Sequence, residues 1–181
     1  MSSTPIHGIY DEATRLSTLL LRSGEVSLEL STKSHFRKIL LLSIASWFEF
    51  RLSAAVLKFA EVHSDNHAGL VSIVRIRAIS RQYHSWFEWP KQNAGKFYGM
   101  FGECGSVLKS AVKADDQLQA GERAFLELGD LRNQLVHENF ATFPLEKTAE
   151  DVYSLYTQAE MYVSWIETQL TSSVFGRRPV A

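Results

Sequence analysis

The feature that most constrains the fold is a long apolar segment from Ser34 to about Val62. Proline, the residue that most strongly interrupts helices, occurs only at positions 5, 90, 144 and 179, so none falls in this segment. Apolar side chains occupy most sides of the segment when it is drawn as a helix, which is typical of a helix at the centre of its fold. The segment therefore predicts a long central helix with Ser34 as its N-cap.

Other segments also show apolar residues at helical spacing, and none shows sustained two-residue alternation. We predict three further helices before residue 145: residues 9–21, ended by Gly24; residues 67–82, capped by Asn66 or Asp65; and residues 122–140, broken by Phe143 and Pro144. A last helix is predicted to begin at a capping box, Thr148 to Asp151, and to run to about Leu170. Residues 23–33 fit either a loop or a short helical turn, and residues 110–121 are predicted to form a polar connection.

These elements predict an all-α fold, a bundle of about five to seven helices. We expect one domain over residues 1–181, with a core at about residues 34–170 and a mobile tail at residues 171–181. The helix over residues 122–140 and the last helix are expected to form an antiparallel pair.

Composition excludes several functional classes. The formal net charge is −1, so the whole chain does not have the strongly basic character of many nucleic-acid-binding proteins. The single cysteine, Cys104, leaves no internal disulfide and no paired ligands for a structural zinc site, and we expect no cofactor or metal. The first seven residues lack the pattern of a signal peptide, and the uncharged run Ile39 to Phe48 is too short to span a bilayer. We expect a cytoplasmic protein without a membrane partner.

Polar residues interrupt the apolar face of the helix predicted over residues 122–140. Asn133 and His137 are four residues apart and so lie above each other, whereas Arg132 is about 140° round the axis from His137. One helix thus carries a planar cation, an amide and an imidazole. A purely structural interpretation is also open, in which Arg132 pairs with Glu127 or Asp130 and His137 binds a carbonyl group.

Two other charged features stand out. Glu49 lies in the middle of the central helix, where an unpaired buried carboxylate would be costly. We expect Arg132 as its partner; a partner on its own helix, or plain exposure, is the alternative. Tyr83, Trp86, Phe87 and Trp89 are interleaved with basic residues, and most of these aromatic residues are expected in the core. The basic residues fit RNA binding and a solvated face equally well; they are Arg75, Arg77, Arg81, Lys91 and Lys96.

The sequence Arg132-Asn133-x-x-x-His137 resembles the R-x4-H motif of the HEPN superfamily. The motif lies on the penultimate main helix, as in that family, and Glu49 and the residues from Asn93 to Gly102 also resemble the family pattern. The similarity covers about residues 34–170, and the pattern resembles the bacterial branch found with defence and RNA-processing genes, which includes the RiboL-PSP-associated type.

The resemblance implies a metal-independent endoribonuclease that works as a homodimer, with two R-x4-H helices forming one composite site. It implies that His137 acts in proton transfer during attack of the ribose 2′-hydroxyl on the phosphate, while Arg132 holds the phosphate. Asn133 would orient the imidazole or the phosphate, and Glu49 would support the site. The products would be a 2′,3′-cyclic phosphate and a 5′-hydroxyl.

The resemblance therefore also implies a toxin or phage-defence effector, and with it an antitoxin or defence-system partner. Asn139 stands where the branch paired with nucleotidyltransferase antitoxins has a modified tyrosine, which argues against that form of control. Two other hypotheses stay open: a HEPN-fold RNA- or protein-binding module without catalysis, and an unrelated helical interaction protein.

Overall fold

A computed structural model describes residues 4–172 of the chain. This part of the chain contains seven α-helices and no β-strand, which confirms the predicted all-α fold. The helices are α1 (Pro5–Arg22), α2 (Val26–His63), α3 (Ala68–Ile73), α4 (Gly95–Gly99), α5 (Glu103–Ala114), α6 (Asp116–His137) and α7 (Ala149–Thr171). A π-helical turn (Val74–Ile79) and two 3-10 turns (Tyr83–Ser85 and Trp89–Lys91) connect α3 to α4.

Helix α2 lies at the centre of the bundle, packed against α1, α6 and α7. Leu40, Leu41 and Ile44 are fully buried, as expected from its apolar sequence. By length and composition alone, α2 would also suit a membrane-crossing helix, although the core helix of a folded domain meets the same criteria. Here one side of the helix lies in the core between the neighbouring helices, whereas other apolar side chains, such as Ile39 and Phe50, are exposed.

The start of α2 differs from the prediction. The helix begins at Val26, so residues 26–33 are helical and Ser34 lies inside the helix rather than at its N-cap. A contact with α1 explains the extension, because the buried carboxylate of Glu29 accepts a hydrogen bond from Ser17 of α1 (2.7 Å) and pairs with Lys33 one turn later (2.7 Å). The hydrogen bond from Lys33 lowers the pKa of Glu29. Helix α1 also places Ile6 in the core, beyond the span predicted for it.

The predicted helix over residues 67–82 is shorter and less regular in the structure. His67 is the N-cap of α3, because its Nδ1 atom accepts a hydrogen bond from the Leu70 amide (3.4 Å). Asp65 and Asn66 have positive φ angles of 48° and 57° and form the turn before it. After Ile73 the backbone continues as the π-helical turn and leaves the helical conformation at Ser80.

Residues 110–121, predicted as a polar connection, are almost entirely helical. Asp115 alone separates α5 from α6, and its Oδ1 atom caps α6 by accepting hydrogen bonds from the amides of Gln117 (2.8 Å) and Leu118 (3.0 Å). Val112 and Leu118 are buried, so a few apolar residues in a polar segment bind both helices to the core. The sequence prediction failed because polar residues outnumber them.

Helices α6 and α7 form the expected antiparallel pair. Gly121, near the start of α6, lies against Tyr162 in the second half of α7, and a Cβ atom there would come within 2.7 Å of the Tyr162 Cβ. The predicted capping box is present, with the Asp151 amide donating to Thr148 Oγ1 (3.1 Å) and the Thr148 amide donating to Asp151 Oδ2 (2.9 Å). Helix α6 ends at His137, three residues before the predicted end. Most of the predicted tail, residues 173–181, lies outside the described residues.

The aromatic segment between Tyr83 and Trp89 belongs to the core, as expected for most of its aromatic residues. Its indole groups are anchored by hydrogen bonds, from Trp86 Nε1 to the Ala78 carbonyl (2.8 Å) and from Trp89 Nε1 to the His84 carbonyl (3.1 Å). The Trp89 ring packs directly on α6 at Gly129, where a Cβ atom would lie 1.9 Å from the ring. This close approach brings the irregular segment against the part of α6 that carries the R-x4-H residues.

Candidate functional site

Arg132 and Asn133 lie in the last turns of α6, where both are partly buried. The Arg132 Nη1 atom donates a hydrogen bond to Asn133 Oδ1 (3.0 Å). The carboxylates that the structural interpretation offered to Arg132 have other partners, since Glu127 pairs with Lys147 (2.7 Å) and Asp130 accepts from Gln134 (2.9 Å). Among residues 4–172, Arg132 forms no ion pair, so its positive charge is available to a ligand.

A small pocket lies beside Arg132 and Asn133, with walls from three separate elements. Glu49 comes from α2, Tyr83 and His84 come from the first 3-10 turn, and Arg132 and Asn133 come from α6. The remaining walls are apolar: Ala45, Phe48, Trp89, Phe125, Leu128 and Gly129. The free space is about 10 Å³, enough for roughly one water molecule. A single oxygen atom fits such a space, whereas a nucleobase or sugar would have to lie over its mouth.

The structure brings Glu49 to this pocket but does not form the predicted ion pair between Glu49 and Arg132. Both charges instead act on the hydroxyl group of Tyr83. Burial raises the pKa of Tyr83 most, the negative charge of Glu49 raises it further, and the positive charge of Arg132 opposes them. The Tyr83 hydroxyl therefore stays protonated at neutral pH and can donate a hydrogen bond.

His137, the last residue of α6, is exposed and does not line the pocket. Leu135, two residues earlier, is fully buried, so the helix turns His137 towards solvent. Its side chain makes no hydrogen bond within the described part of the chain, which leaves the predicted carbonyl contact unformed. The chain after it is tethered, because the buried ammonium group of Lys38 donates to the Phe140 carbonyl (2.7 Å). One protomer thus groups Arg132, Asn133 and Glu49 and leaves His137 outside the pocket.

The five basic residues predicted for RNA binding are all exposed and lie outside the pocket lining. Lys91 and Lys96 lie near the carboxylate of Glu88, at 3.3 Å and 3.8 Å. Arg75, Arg77 and Arg81 form no ion pair with any residue between 4 and 172. The π-helical turn presents the first two of these arginines, and Arg81 follows with a positive φ angle of 59°. The chain then leads directly into Tyr83 and His84 at the pocket.

Tyr83 and His84 line the pocket although the sequence alone does not indicate them as site residues. Their role depends on the packing of Trp89 against Gly129, a contact between residues 40 positions apart in the sequence. No local pattern indicates such a contact. Among the described residues, no group of three or more His, Cys, Asp or Glu side chains is arranged to hold a metal ion.

The all-helical fold, with an arginine, an amide and an upstream glutamate at one pocket, is consistent with a HEPN-type domain. A comparison with protein-family models gives a match to RiboL-PSP-HEPN over residues 9–172, and the chain belongs to this family. The family places the protein among HEPN-type nuclease and RNA-related modules. No curated protein and no solved structure gave a significant match.

Proposed function

We propose that this protein is a metal-independent endoribonuclease that cleaves RNA at a site formed by two copies of the chain. The observation that carries the proposal is the state of Arg132. It lies in a pocket with Glu49, is held by Asn133, and has no ion-pair partner within residues 4–172. The exposed imidazole of His137 follows five residues later on the same helix.

Arg132 is suited to hold the phosphate group that reacts. One of its terminal nitrogens is bound to Asn133, which restricts the side chain and leaves its other N–H groups for a ligand. A planar guanidinium binds phosphate oxygens through paired hydrogen bonds and stabilises charge that builds up on them. The neutral Tyr83 hydroxyl beside it adds a donor that carries no charge of its own.

His137 would act in proton transfer during attack of the ribose 2′-hydroxyl on the adjacent phosphate. RNA carries its own nucleophile, so an imidazole and a cation are sufficient for this reaction. Because His137 faces solvent, a second copy of the chain would complete the site across a two-fold axis. Val136 and Phe140, which flank His137 and are 50% and 39% exposed, are apolar surface that such a contact would cover.

The exposed arginines of the π-helical turn and its exit would bind the RNA backbone next to the site. Arg75, Arg77 and Arg81 precede the pocket residues in the chain and are not neutralised by a described carboxylate. Electrostatic contacts of this kind are independent of sequence and weaken with salt. These arginines would increase the affinity for RNA without contributing to sequence specificity.

Uncontrolled RNA cleavage would damage the cell that makes the enzyme. We therefore propose a toxin or phage-defence effector that acts in the cytoplasm and is restrained by a partner protein, such as an antitoxin. Asn139 in place of the modified tyrosine implies that any restraint acts by another route than modification at that position.

The test is cleavage of total RNA and tRNA in excess chelator by the wild type, His137→Ala and His63→Ala. His63 is exposed and lies at the C-terminal end of α2, so its replacement controls for loss of an imidazole elsewhere. We expect cleavage by the wild type and His63→Ala only, with 2′,3′-cyclic phosphate ends. Cleavage by purified His137→Ala at the wild-type rate would disprove the proposal.

A second candidate is a HEPN module that binds RNA or protein without cleaving it. The position of His137 outside the pocket favours it. In that case Arg132→Ala and His137→Ala would leave the biological effect of the protein unchanged, and expression in cells with a growth measurement distinguishes the two candidates.

A further inference from the structure

A second histidine, His84, lines the pocket beside Arg132, and the ribonuclease reaction proposed above has a use for its imidazole. His84 lies on the 3-10 turn Tyr83–Ser85 and lines the pocket with Glu49 and Arg132. Its side chain is exposed and makes no hydrogen bond with any residue between 4 and 172. The imidazole is therefore free to contact a ligand bound over the pocket.

The backbone of His84 is held in place although its ring is free. Its carbonyl accepts the hydrogen bond from Trp89 Nε1 (3.1 Å), and Trp89 is fixed against Gly129 of α6. The ring lies 5.8 Å from the buried ring of Tyr83 in an edge-to-face arrangement. Because these contacts join the 3-10 turn to α6, His84 keeps a defined position relative to Arg132.

Cleavage by the 2′-hydroxyl requires two proton transfers. The 2′-oxygen loses its proton as it forms the bond to phosphorus. The 5′-oxygen keeps the electron pair of the P–O5′ bond when that bond breaks, and it must gain a proton. The two oxygens lie on opposite sides of the phosphorus atom in an in-line displacement. A phosphate held by Arg132 therefore needs proton-transfer groups on two different sides. One copy of His137 accounts for one of them, and the other is either the second copy of His137 in the dimer or an imidazole that already lies at the pocket.

We propose that His84 is the general acid of this reaction: its imidazolium donates a proton to the departing 5′-oxygen while His137 accepts the proton of the 2′-hydroxyl. The charged and titratable groups that share the pocket are Glu49 of α2, Tyr83 of the same turn and Arg132 of α6. In this arrangement Arg132 holds the phosphate between the two imidazoles. This inference rests on the proposed function.

The experiment compares two RNA substrates that differ in one atom. In the second substrate a sulfur atom replaces the bridging 5′-oxygen, so the leaving group departs as a thiolate and needs no proton. We measure single-turnover cleavage by wild type, His84→Asn, His137→Ala and the control His63→Asn, which lies 14 residues from Glu49 on α2, at about 21 Å. Circular dichroism confirms that each variant is folded.

We expect His84→Asn to cleave natural RNA about 10²–10⁴-fold more slowly than the wild type. It should cleave the sulfur substrate within about tenfold of the wild-type rate, whereas His137→Ala should fail on both substrates. An unchanged rate on natural RNA, or an equal loss on both substrates, would overturn the role of His84 and leave the ribonuclease proposal intact. If the wild type cleaves neither substrate, the ribonuclease proposal fails, and the role of His84 fails with it.

Discussion

Arg51 and Arg132 lie in the same bundle in opposite electrostatic surroundings. Arg51, on α2, binds the carboxylates of Glu160 and Glu167 on α7, donates to Ser164 Oγ (2.9 Å), and is 12% exposed. Arg132 binds only the amide oxygen of Asn133, and no described carboxylate pairs with it. The guanidinium of Arg51 is neutralised by ion pairs that join α2 to α7. The charge of Arg132 is not neutralised by a described carboxylate and can interact with another molecule.

The two guanidinium groups also differ in how closely protein atoms surround them. Arg51 also lies over the Trp47 ring, 5.7 Å from its centroid, so protein atoms surround most of the guanidinium. Arg132 borders a pocket that holds roughly one water molecule. Two arginines of equal formal charge therefore suit two purposes, structural cohesion and ligand binding, and they differ in the number of described carboxylates that form an ion pair with each. Each of the following substitutions tests one side of this contrast.

The largest effect is expected for Arg132→Ala, measured as RNA cleavage. Loss of a preorganised cation at a developing charge typically lowers the rate about 10²–10³-fold. Because Arg132 forms no ion pair with described residues and one hydrogen bond, to Asn133, its loss should lower the free energy of unfolding by no more than about 0.5–1.5 kcal/mol. Urea denaturation of the same preparation measures this free energy. A large loss of stability would mean that Arg132, like Arg51, has a structural role.

The reverse result is expected for Arg51→Ala. Its removal leaves Glu160 and Glu167 without their cation at a partly buried site, which should lower the free energy of unfolding by about 2–4 kcal/mol. Cleavage per folded molecule should stay within about threefold, since Arg51 does not line the pocket. Denaturation and cleavage are measured on the same preparation. A variant Arg51→Ala that is stable but inactive would contradict the structural role assigned to Arg51.

A smaller loss of stability is expected for Gly129→Ala, with a specific effect on the site. The new methyl group would meet the Trp89 ring at 1.9 Å, so the ring must move away from α6. Overpacking of this kind costs about 1–3 kcal/mol. Because Trp89 supports the turn that carries His84, tryptophan fluorescence should shift and cleavage should fall. Gly99→Ala is the matched control, since a Cβ atom there would meet nothing within 4 Å.

The smallest effect is expected when Arg75, Arg77 and Arg81 are all replaced by glutamine. If they bind RNA phosphates, the slope of log affinity against log salt should become shallower by up to about 0.7 for each phosphate that the variant no longer binds. Stability should be unchanged because all three are exposed and unpaired within the described chain. Fluorescence anisotropy with single-stranded RNA at several salt concentrations measures the slope, and an unchanged slope would mean that these arginines form a solvated face.

The sequence predicted most of the helices and misjudged several of their ends. The capping box at Thr148 and the apolar spacing of α7 were reliable because both depend on neighbouring residues. The start of α2 was not, because it depends on a hydrogen bond between Glu29 and Ser17 of another helix. Similarly, the helical character of residues 110–121 depends on burial of Val112 and Leu118 in the core.

For the site, the sequence indicated Arg132, Asn133 and Glu49, and the structure groups all three. It did not indicate Tyr83 and His84, because those side chains reach the pocket only through the packing of Trp89 on Gly129. The expected ion pair between Glu49 and Arg132 was wrong, although the two charges lie near the same hydroxyl group. Spacing along one helix shows which face of that helix a residue occupies. It does not show which side chain of another helix or turn will contact the residue, because that depends on how the elements pack together.

The sequence by itself determined an all-α chain with a central apolar helix and a polar motif on the penultimate main helix. These features follow from local propensity and from the period of apolar residues, which act over a few positions. Only the tertiary structure decided which charges are neutralised, which residues share the pocket, and that His137 faces solvent. Those outcomes depend on contacts between residues far apart in the chain, since a carboxylate neutralises an arginine only where folding places the two side chains together.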